Sequence, residues 1–348
     1  MTASSAPTEA AVPARRLGLA VRRLSLARLA WDMLRWRVAL TMWLFMLLAA
    51  AYHGVQDWPL DRLLALSLAL GASYVVATTV NDIADVDIDR VNRLGGRGRP
   101  LVTGDATRAE LYRLNVVAAL VALAFGSYVG WRGVAVVAAS LVVAYVYSVP
   151  PLRISHRMLL TAPVLTLAYV AAPYLHGLAL AGVLPSTADL AFAGGLCCLF
   201  CSRILLKDFR DRAGDAAHGK PTLALRFGKP VTCAIAFVAL VVGSVLVASA
   251  LKAPLPAVAV VGFGGCVGRQ LWALVRAPDH RSEQVAIGIG ARMGNGLLIC
   301  LLAWLLLEAQ GAAAATTCGV VTVIGLLYAA TYVTLVRHPD EVLVGYKG

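Results

Sequence analysis

Charge is scarce in this sequence. Only 14% of its 348 residues are charged, where a soluble domain of this length carries about 25%. With 59% hydrophobic residues and a mean hydropathy of +0.76, most of the chain has the bilayer rather than water as its solvent. Acidic residues are the scarcest charged class, 19 against 31 basic, for a net charge of +12. Such an excess can mark a nucleic-acid partner. Here the basic residues are interleaved between apolar runs and form no single patch or arm, so no nucleic-acid partner is expected. Seven cysteines all fall inside apolar segments. The Cys198-x-x-Cys201 pair lacks the second pair or the histidines of a zinc site, and these thiols read as small packing residues. The N-terminal region has no short apolar core followed by a small-residue cleavage site, so no signal peptide is expected.

Long apolar runs dominate instead. A spanning helix needs about 20 apolar residues. Ten runs qualify, at about 38–54, 61–80, 111–129, 133–149, 158–180, 187–206, 231–251, 255–275, 287–308 and 313–336. Residues 1–37 are polar and arginine-rich, which predicts a disordered start followed by a basic amphipathic helix on the membrane surface. With both termini on one side, 28 of the 31 basic residues share that side and only Arg62, Arg132 and Lys252 do not. Positive charge marks the cytoplasmic side. The expectation is an all-α, polytopic helix bundle of nine to ten spans in the cell membrane, with both termini and the chemistry facing the cytoplasm. Its divisions are residues 1–37 as tail and interfacial helix, 38–310 as the transmembrane domain, and 311–348 as an added helix and short tail.

Seven of the 19 acidic residues sit in two short stretches at the ends of apolar runs. The first runs from Asn81 to Asp89 and carries Asp82, Asp85, Asp87 and Asp89. The second runs from Asp208 to Asp215 and includes Asp211. Each is expected to continue a membrane helix into the interface. At about 100° per residue from Asn81, Asp85 lies near 40°, Asp89 near 80° and Asp82 near 100°, while Asp87 falls near 240° and points away. Asp208, Asp211 and Asp215 lie within about 60° of one another. Like charges at this spacing repel, and carboxylates beside hydrocarbon are costly. Mg²⁺ suits such oxygens and is shared readily with phosphates, so two facing stripes would hold it against a diphosphate. Arg90, Arg93, Arg97 and Arg99 follow the first cluster, and Arg203, Lys207, Arg210 and Arg212 flank the second. They are candidate phosphate donors or topology signals. Gly95, Gly96, Gly98 and Pro100 predict a loop able to close over the site. Tyr147 and Arg153, around the Pro150-Pro151 break, would line the acceptor side.

These residues resemble the UbiA superfamily of membrane prenyltransferases. The family's N-D-x-x-D-x-x-x-D is matched by Asn81, Asp82, Asp85 and Asp89, and its D-x-x-x-D by Asp211 and Asp215. Arg99 to Gly104 resembles its R-P-L-x-x-G segment, and Tyr147-Ser148-x-Pro150 its Y-S-x-P element. Gly219, Lys220, Thr222 and Phe227-Gly228 resemble the stretch after its second motif. The resemblance implies a helix bundle around a central cavity under a polar cytoplasmic cap. It also implies Mg²⁺ held by Asn81, Asp82, Asp85, Asp89, Asp211 and Asp215. Asp85, Asp211, Asp215 and Tyr147 would be catalytic, and Arg99, Arg153, Lys207 and Asp208 would bind substrate. Some members carry a lysine two residues after the arginine of the Y-S-x-P loop, and here Ser155 stands there, followed by His156 and Arg157.

The expected activity is transfer of a prenyl group from an isoprenoid diphosphate to a hydrophobic aromatic or quinone-precursor acceptor. A terpene cyclase of the same superfamily is the alternative, and joining a polyprenyl phosphate to a sugar diphosphate is a third activity of the same kind. No obligate protein partner is inferred. A transporter with acidic coupling sites would place them near the midplane, often on internal repeats. Here they lie at one membrane face, with no convincing repeat.

Overall fold

The computed structural model describes residues 25–92 and 99–346. The expected disordered start, the glycines of the closing loop, and Arg93 and Arg97 lie outside the described residues. Within them the chain is all helical, in the order α1 Leu26–Leu34, α2 Trp36–Tyr52, α3 Leu60–Ala84, α4 Val86–Asn92, α5 Pro100–Thr103 and α6 Arg108–Tyr128. Next come α7 Trp131–Ser148, α8 Met158–Thr166, α9 Ala172–Ala181, α10 Thr187–Ile204, α11 Lys207–Arg210 and α12 Arg212–Ala217. The last five are α13 Leu223–Leu251, α14 Pro254–Val275, α15 His280–Ala309, α16 Ala314–Arg337 and α17 Pro339–Tyr346.

Among the described residues nine helical segments are long and apolar enough to cross a membrane, with α8–α9 and α10–α11 each counting as one. The tenth expected run, α2, has 17 residues, about 25 Å of helix. It crosses only together with α1, from which it bends by 63° at Arg35. The lipid-facing sides stay apolar and bare: Leu120 on α6, Val238 on α13, Val261 on α14 and Leu326 on α16 are all exposed. In water such a surface would associate; in a bilayer it is solvated. These helices make the chain a multi-pass membrane protein.

Between helices the packing relies on small residues, as membrane bundles do. A Cβ on Gly177 of α9 would meet the Met46 carbonyl of α2 at 2.2 Å, and one on Gly243 of α13 would meet the Leu199 nitrogen of α10 at 2.6 Å. Around the bundle α3, α6, α7 and α9 pack in sequence, as do α10, α13, α14 and α15, and α2 joins the two groups by touching α9 and α15. Phe45, Tyr174, Phe192, Leu196 and Leu301 sit in the largest buried cluster. Ser186 caps α10 and Thr107 caps α6 through reciprocal bonds with Asp189 and Glu110, which fixes where each helix starts. The up-down order brings the ends of α3, α7 and α10 and the starts of α8, α13 and α15 to one end of the bundle. Arg62, Arg132 and Lys252 lie at the opposite end, at the start of α3, the start of α7 and the end of α13.

Candidate active site

Neither acidic stretch runs on as an unbroken helix, contrary to the sequence expectation. The first helix stops at Ala84, and Asp85 has φ −109° and ψ 17° before α4 restarts. The second stops at Ile204 and breaks again at Asp211, with φ −96° and ψ 8° between α11 and α12. These values lie in the sparsely populated bridge region between helix and strand. The breaks turn α4 and α12 toward each other over the end of the bundle. There the Gly214 N–H donates to Asn92 Oδ1 at 2.5 Å, and Gly214 has no room for a Cβ, which would fall 2.6 Å from Asn92 and from the Ile88 carbonyl.

Beneath this contact lies a cavity of about 1290 Å³. Asn81, Asp85, Asp89, Asp211 and Asp215 line its polar end together with Arg99, Lys207 and Lys220. Tyr147, Tyr74, Tyr169 and Phe200 line its walls. So the structure brings the two motifs and Tyr147 onto one cavity. It sets Asp82, Asp208 and Arg153 behind that lining. Asp82 is 2% exposed and held by Arg99 and by Arg35 Nη2 at 2.5 Å. Asp208 is buried with Lys207 Nζ at 3.7 Å. Arg153 Nη2 donates at 3.2 Å to both the Ala84 carbonyl and Asp85 Oδ1, bracing the break from outside. Asp87 is exposed and paired with Arg90, away from the site as its helical phase requires.

The acids are balanced by the chain's own cations. Lys220 Nζ lies 3.7 Å from Asp85 Oδ2 and 3.4 Å from Asp215 Oδ1, bridging the two motifs. Arg99 Nε lies 3.2 Å from Asp89 Oδ2, and His156 Nε2 is 3.9 Å from Asp85 Oδ1. Burial pushes the Asp215 carboxyl up to about 6, against the pull of Lys220. Burial and the neighbouring Arg35 hold the Arg99 guanidinium well below its usual range, and burial and Arg153 lower the His156 imidazole. Outside the cavity, buried Glu283 at the start of α15 takes Arg212 Nη2 at 2.6 Å and Lys229 Nζ at 2.9 Å, fixing α12 to α13 and α15.

Whether Mg²⁺ suits this site is a question of donors. At the cavity's polar end the five motif side chains Asn81, Asp85, Asp89, Asp211 and Asp215 offer hard oxygens, the class that Mg²⁺ takes. Among the described residues no three acidic, histidine or cysteine side chains are gathered closely enough to hold a metal by themselves. The Lys220 ammonium occupies the gap between Asp85 and Asp215 as an internal stand-in cation, and Asp215 Oδ1 has no hydrogen bond there. The arrangement therefore fits a small hard cation that also uses phosphate oxygens.

Sequence reasoning marked Arg203 only as one of the cations flanking the second cluster, and passed over Arg35, Asn92, Glu283 and Asn295. Arg35 was legible only as one of several tail arginines, and nothing in the spacing of the others marked them.

A family model described as "UbiA prenyltransferase family" matches residues 38–295. A digeranylgeranylglyceryl phosphate synthase of Pyrococcus horikoshii is 29% identical over 181 residues, 51% of this chain and 61% of that protein. The synthase of the same name from Methanoculleus marisnigri is 33% identical over 179 residues, 50% of this chain and 60% of that protein. Each match thus spans about three fifths of the curated relative's length. Among solved structures, one of a digeranylgeranylglyceryl phosphate synthase aligns at TM-score 0.62 with 14% identity, over 81% of this chain and 99% of the other. A UbiA homolog from Archaeoglobus fulgidus bound to DMAPP and Mg²⁺ aligns at 0.53 with 18% identity, over 88% and 99%. At those identities the structural likeness is one of fold. The family match covers about three quarters of the sequence, includes both acidic motifs and agrees with the helical architecture: the chain belongs to the UbiA prenyltransferase family.

Proposed function

We propose that the protein transfers a prenyl group from an isoprenoid diphosphate to a second, hydrophobic substrate inside the membrane, with Mg²⁺ at the polar end of the cavity. The observation that carries this reading is a cavity of about 1290 Å³ that joins the aspartates at one end to largely aromatic and aliphatic walls. Pockets for one drug-sized ligand run to about 1,000 Å³. A prenyl chain and an acceptor therefore fit together, whereas a cyclase needs room for one substrate.

Asn81, Asp85, Asp89, Asp211 and Asp215 would hold the metal, which supplies electrophilic pull on the leaving diphosphate. Lys207, Lys220 and Arg99 would bind diphosphate oxygens and stabilise the charge that develops on them. The C–O bond to the diphosphate breaks with its electron pair on oxygen, the acceptor's nucleophile bonds to the allylic carbon, and the acceptor proton passes to the released diphosphate. Tyr147, Tyr169 and Phe200 line the cavity, where aromatic rings would favour an allylic cation and keep water from it. Asp82 and Arg153 act by positioning: one anchors Arg99 and Arg35, the other fixes Asp85. In this reading residues 38–310 are the catalytic domain and α16 with the segment after it is an addition, while most of the 1–37 division lies outside the described residues. The excess of basic residues at the aspartate end supports a cytoplasmic site.

Aromatic and quinone-precursor phenols satisfy this chemistry, and so does a lipid alcohol of the kind named in the relatives, a glyceryl phosphate. The test is mass spectrometry of products from membranes given prenyl diphosphates of several lengths with both acceptor panels. A prenylated acceptor is expected. A cyclised hydrocarbon or alcohol formed without acceptor would overturn the transfer reading in favour of cyclisation.

A further inference from the structure

The proposed chemistry makes no use of α1. Its Arg28 and Trp31 are exposed and also line the cavity, so this helix stands at the cavity mouth. One face of α1 is fastened down. Leu29 and Met33 are buried in a cluster with Val75, Val76 and Leu111 of α3 and α6. The Thr78 hydroxyl of α3 donates to the Met33 carbonyl at 2.8 Å. The other face is bare. Trp31 is 57% exposed, and Trp36, just past the bend into α2, is 47% exposed. Two exposed arginines stand beside them. Arg28 pairs with Asp32 at 3.5 Å, a surface contact of small worth. The Arg37 guanidinium lies 5.3 Å from the centre of the Trp36 ring.

Tryptophan and arginine together suit the level of the lipid head groups, where the rings sit at the interface and the cations meet anionic lipid. The bend that sets α1 there is itself unusual. It turns α1 by 63° from α2, at an Arg35 with φ 44° and ψ 58°, a left-handed conformation uncommon for a residue with a Cβ. A straight α1–α2 helix is the unstrained alternative, and it would lift α1 off α3. Inside the protein an ion pair opposes that: Arg35 Nη2 lies 2.5 Å from Asp82 Oδ1. Arg99 holds the same oxygen, and its Nε lies 3.2 Å from Asp89 Oδ2 at the cavity. The second oxygen of Asp82 is buried with no hydrogen bond among the described residues. This carboxylate therefore depends on its two guanidiniums. If Arg35 withdraws, Arg99 alone must balance a buried charge, and it is drawn from the cavity toward Asp82.

We propose that the exposed face of α1 and the bend, with Arg28, Trp31, Trp36 and Arg37, docks the head groups of anionic phospholipids, and that lipid docked there holds the bend at Arg35 and leaves Arg99 free for the diphosphate. The occupant is bulk lipid of the surrounding leaflet, not a substrate. A zwitterionic head group carries a phosphate but no net charge, so it lacks the attraction of about fivefold in affinity per arginine that an anionic surface exerts. This regulation rests on the reading of the cavity as the catalytic site and adds a lipid input to it.

The test uses the full chain in nanodiscs of phosphatidylcholine, with and without phosphatidylglycerol. The first measurement is equilibrium affinity for farnesyl thiolodiphosphate at saturating Mg²⁺. An anionic surface by itself repels this ligand and weakens its binding. The proposal gives the opposite sign: binding tighter by about fivefold or more, the lower end of ordinary coupling between two sites. The second measurement is native mass spectrometry of the phosphatidylglycerol retained by each chain. Arg28→Gln combined with Arg37→Gln should lose both the retained lipid and the gain in affinity. Arg108→Gln combined with Arg226→Gln removes two exposed arginines from the same end of the bundle and should keep both. Loss of both in that control would assign the effect to general charge and overturn α1 as the site. Arg35→Gln should retain the lipid yet bind thiolodiphosphate equally in the two discs, which separates docking from coupling. Equal or weaker thiolodiphosphate binding by the wild type in phosphatidylglycerol would overturn the coupling. Equal lipid retention by the wild type and the Arg28–Arg37 variant would overturn the docking surface. Neither measurement needs turnover. If the wild type shows the gain but releases no diphosphate from farnesyl diphosphate in either disc, the catalytic reading of the cavity fails while the lipid site stands.

Discussion

Gly214→Ala tests whether the two aspartate motifs work as one device. The added methyl would lie 2.6 Å from Asn92 and 2.6 Å from the Ile88 carbonyl, where ordinary contact starts at 3.4 Å. Asn92 cannot swing aside without losing its bond from the Gly214 N–H, and the Ile88 oxygen belongs to the backbone of α4. The relief is for α12 to move off α4, by about 0.8 Å from those distances. Asp215 is the next residue and would move with it, away from Asp85 and Asp89. A displacement near 1 Å costs on the order of 100-fold in rate where reacting groups are positioned, whereas overpacking costs about 1–3 kcal/mol in stability. Activity should therefore collapse while the bundle persists. The assay is the initial rate of diphosphate release at saturating Mg²⁺, beside a thermal melt in detergent. Gly265→Ala on α14, where a methyl meets nothing within 4 Å, is the control and should behave as wild type. Adding Asn92→Ala to Gly214→Ala should restore the rate only in part, since the Ile88 carbonyl still obstructs. Wild-type turnover in Gly214→Ala would refute the claim that α4–α12 contact sets the spacing of the motifs.

Asp85→Ala and Asp211→Ala should each abolish Mg²⁺-dependent consumption of prenyl diphosphate with the protein still inserted; unchanged turnover in both would remove the metal assignment. Chelation with EDTA should stop turnover reversibly yet leave the melting midpoint nearly unmoved, because Lys220, Arg99 and Arg35 already balance the acids, and a large fall in the midpoint would show that metal, not lysine, holds the two motifs. Glu283→Gln should lower stability by about 1–3 kcal/mol, since Arg212 and Lys229 lose the charge of their shared buried partner. At the opposite end of the bundle Ser186→Ala removes an N-cap. It should cost about 1 kcal/mol with kcat unchanged, and a matching loss of activity would contradict the placement of the chemistry.

Much of the membrane architecture was legible because lipid imposes a simple code: apolar runs of a fixed length, with positive charge on one side. The expected run at 61–80 falls within α3, and those at 111–129 and 313–336 match α6 and α16 to within one residue at an end. The uncertainty between nine and ten spans has a physical cause in α2, which is shorter than a span and bent from α1 at Arg35, a residue with φ of 44°. No periodicity marks a left-handed arginine. The site was legible as far as residue type and spacing go. Helical phase turned Asp87 outward, which agrees with its exposed pair with Arg90. The same phase placed Asp82 on the ligand face, yet Asp82 is sealed between Arg35 and Arg99, because partners from the α1–α2 bend and from the residue before α5 claim it and no rule of spacing contains them.

What the sequence could not display is how two stripes of like charge are kept together before substrate arrives. Repulsion among Asp85, Asp89, Asp211 and Asp215 would drive α4 and α12 apart, and carboxylates away from water are costly without partners. Lys220 answers this from a position only five residues past Asp215, tied back by its own backbone N–H to the Asp215 carbonyl at 2.8 Å. That short tether places an ammonium between the motifs whatever the metal content. Under the proposed mechanism Lys220 and the metal then want the same oxygens, so loading must release the lysine toward the incoming diphosphate. The consequence can be measured: Lys220→Met should tighten Mg²⁺ binding in the absence of diphosphate, by removing the competitor, while weakening diphosphate binding and slowing turnover. Weaker Mg²⁺ binding in that variant would show that the lysine organises the carboxylates for the metal rather than standing in for it.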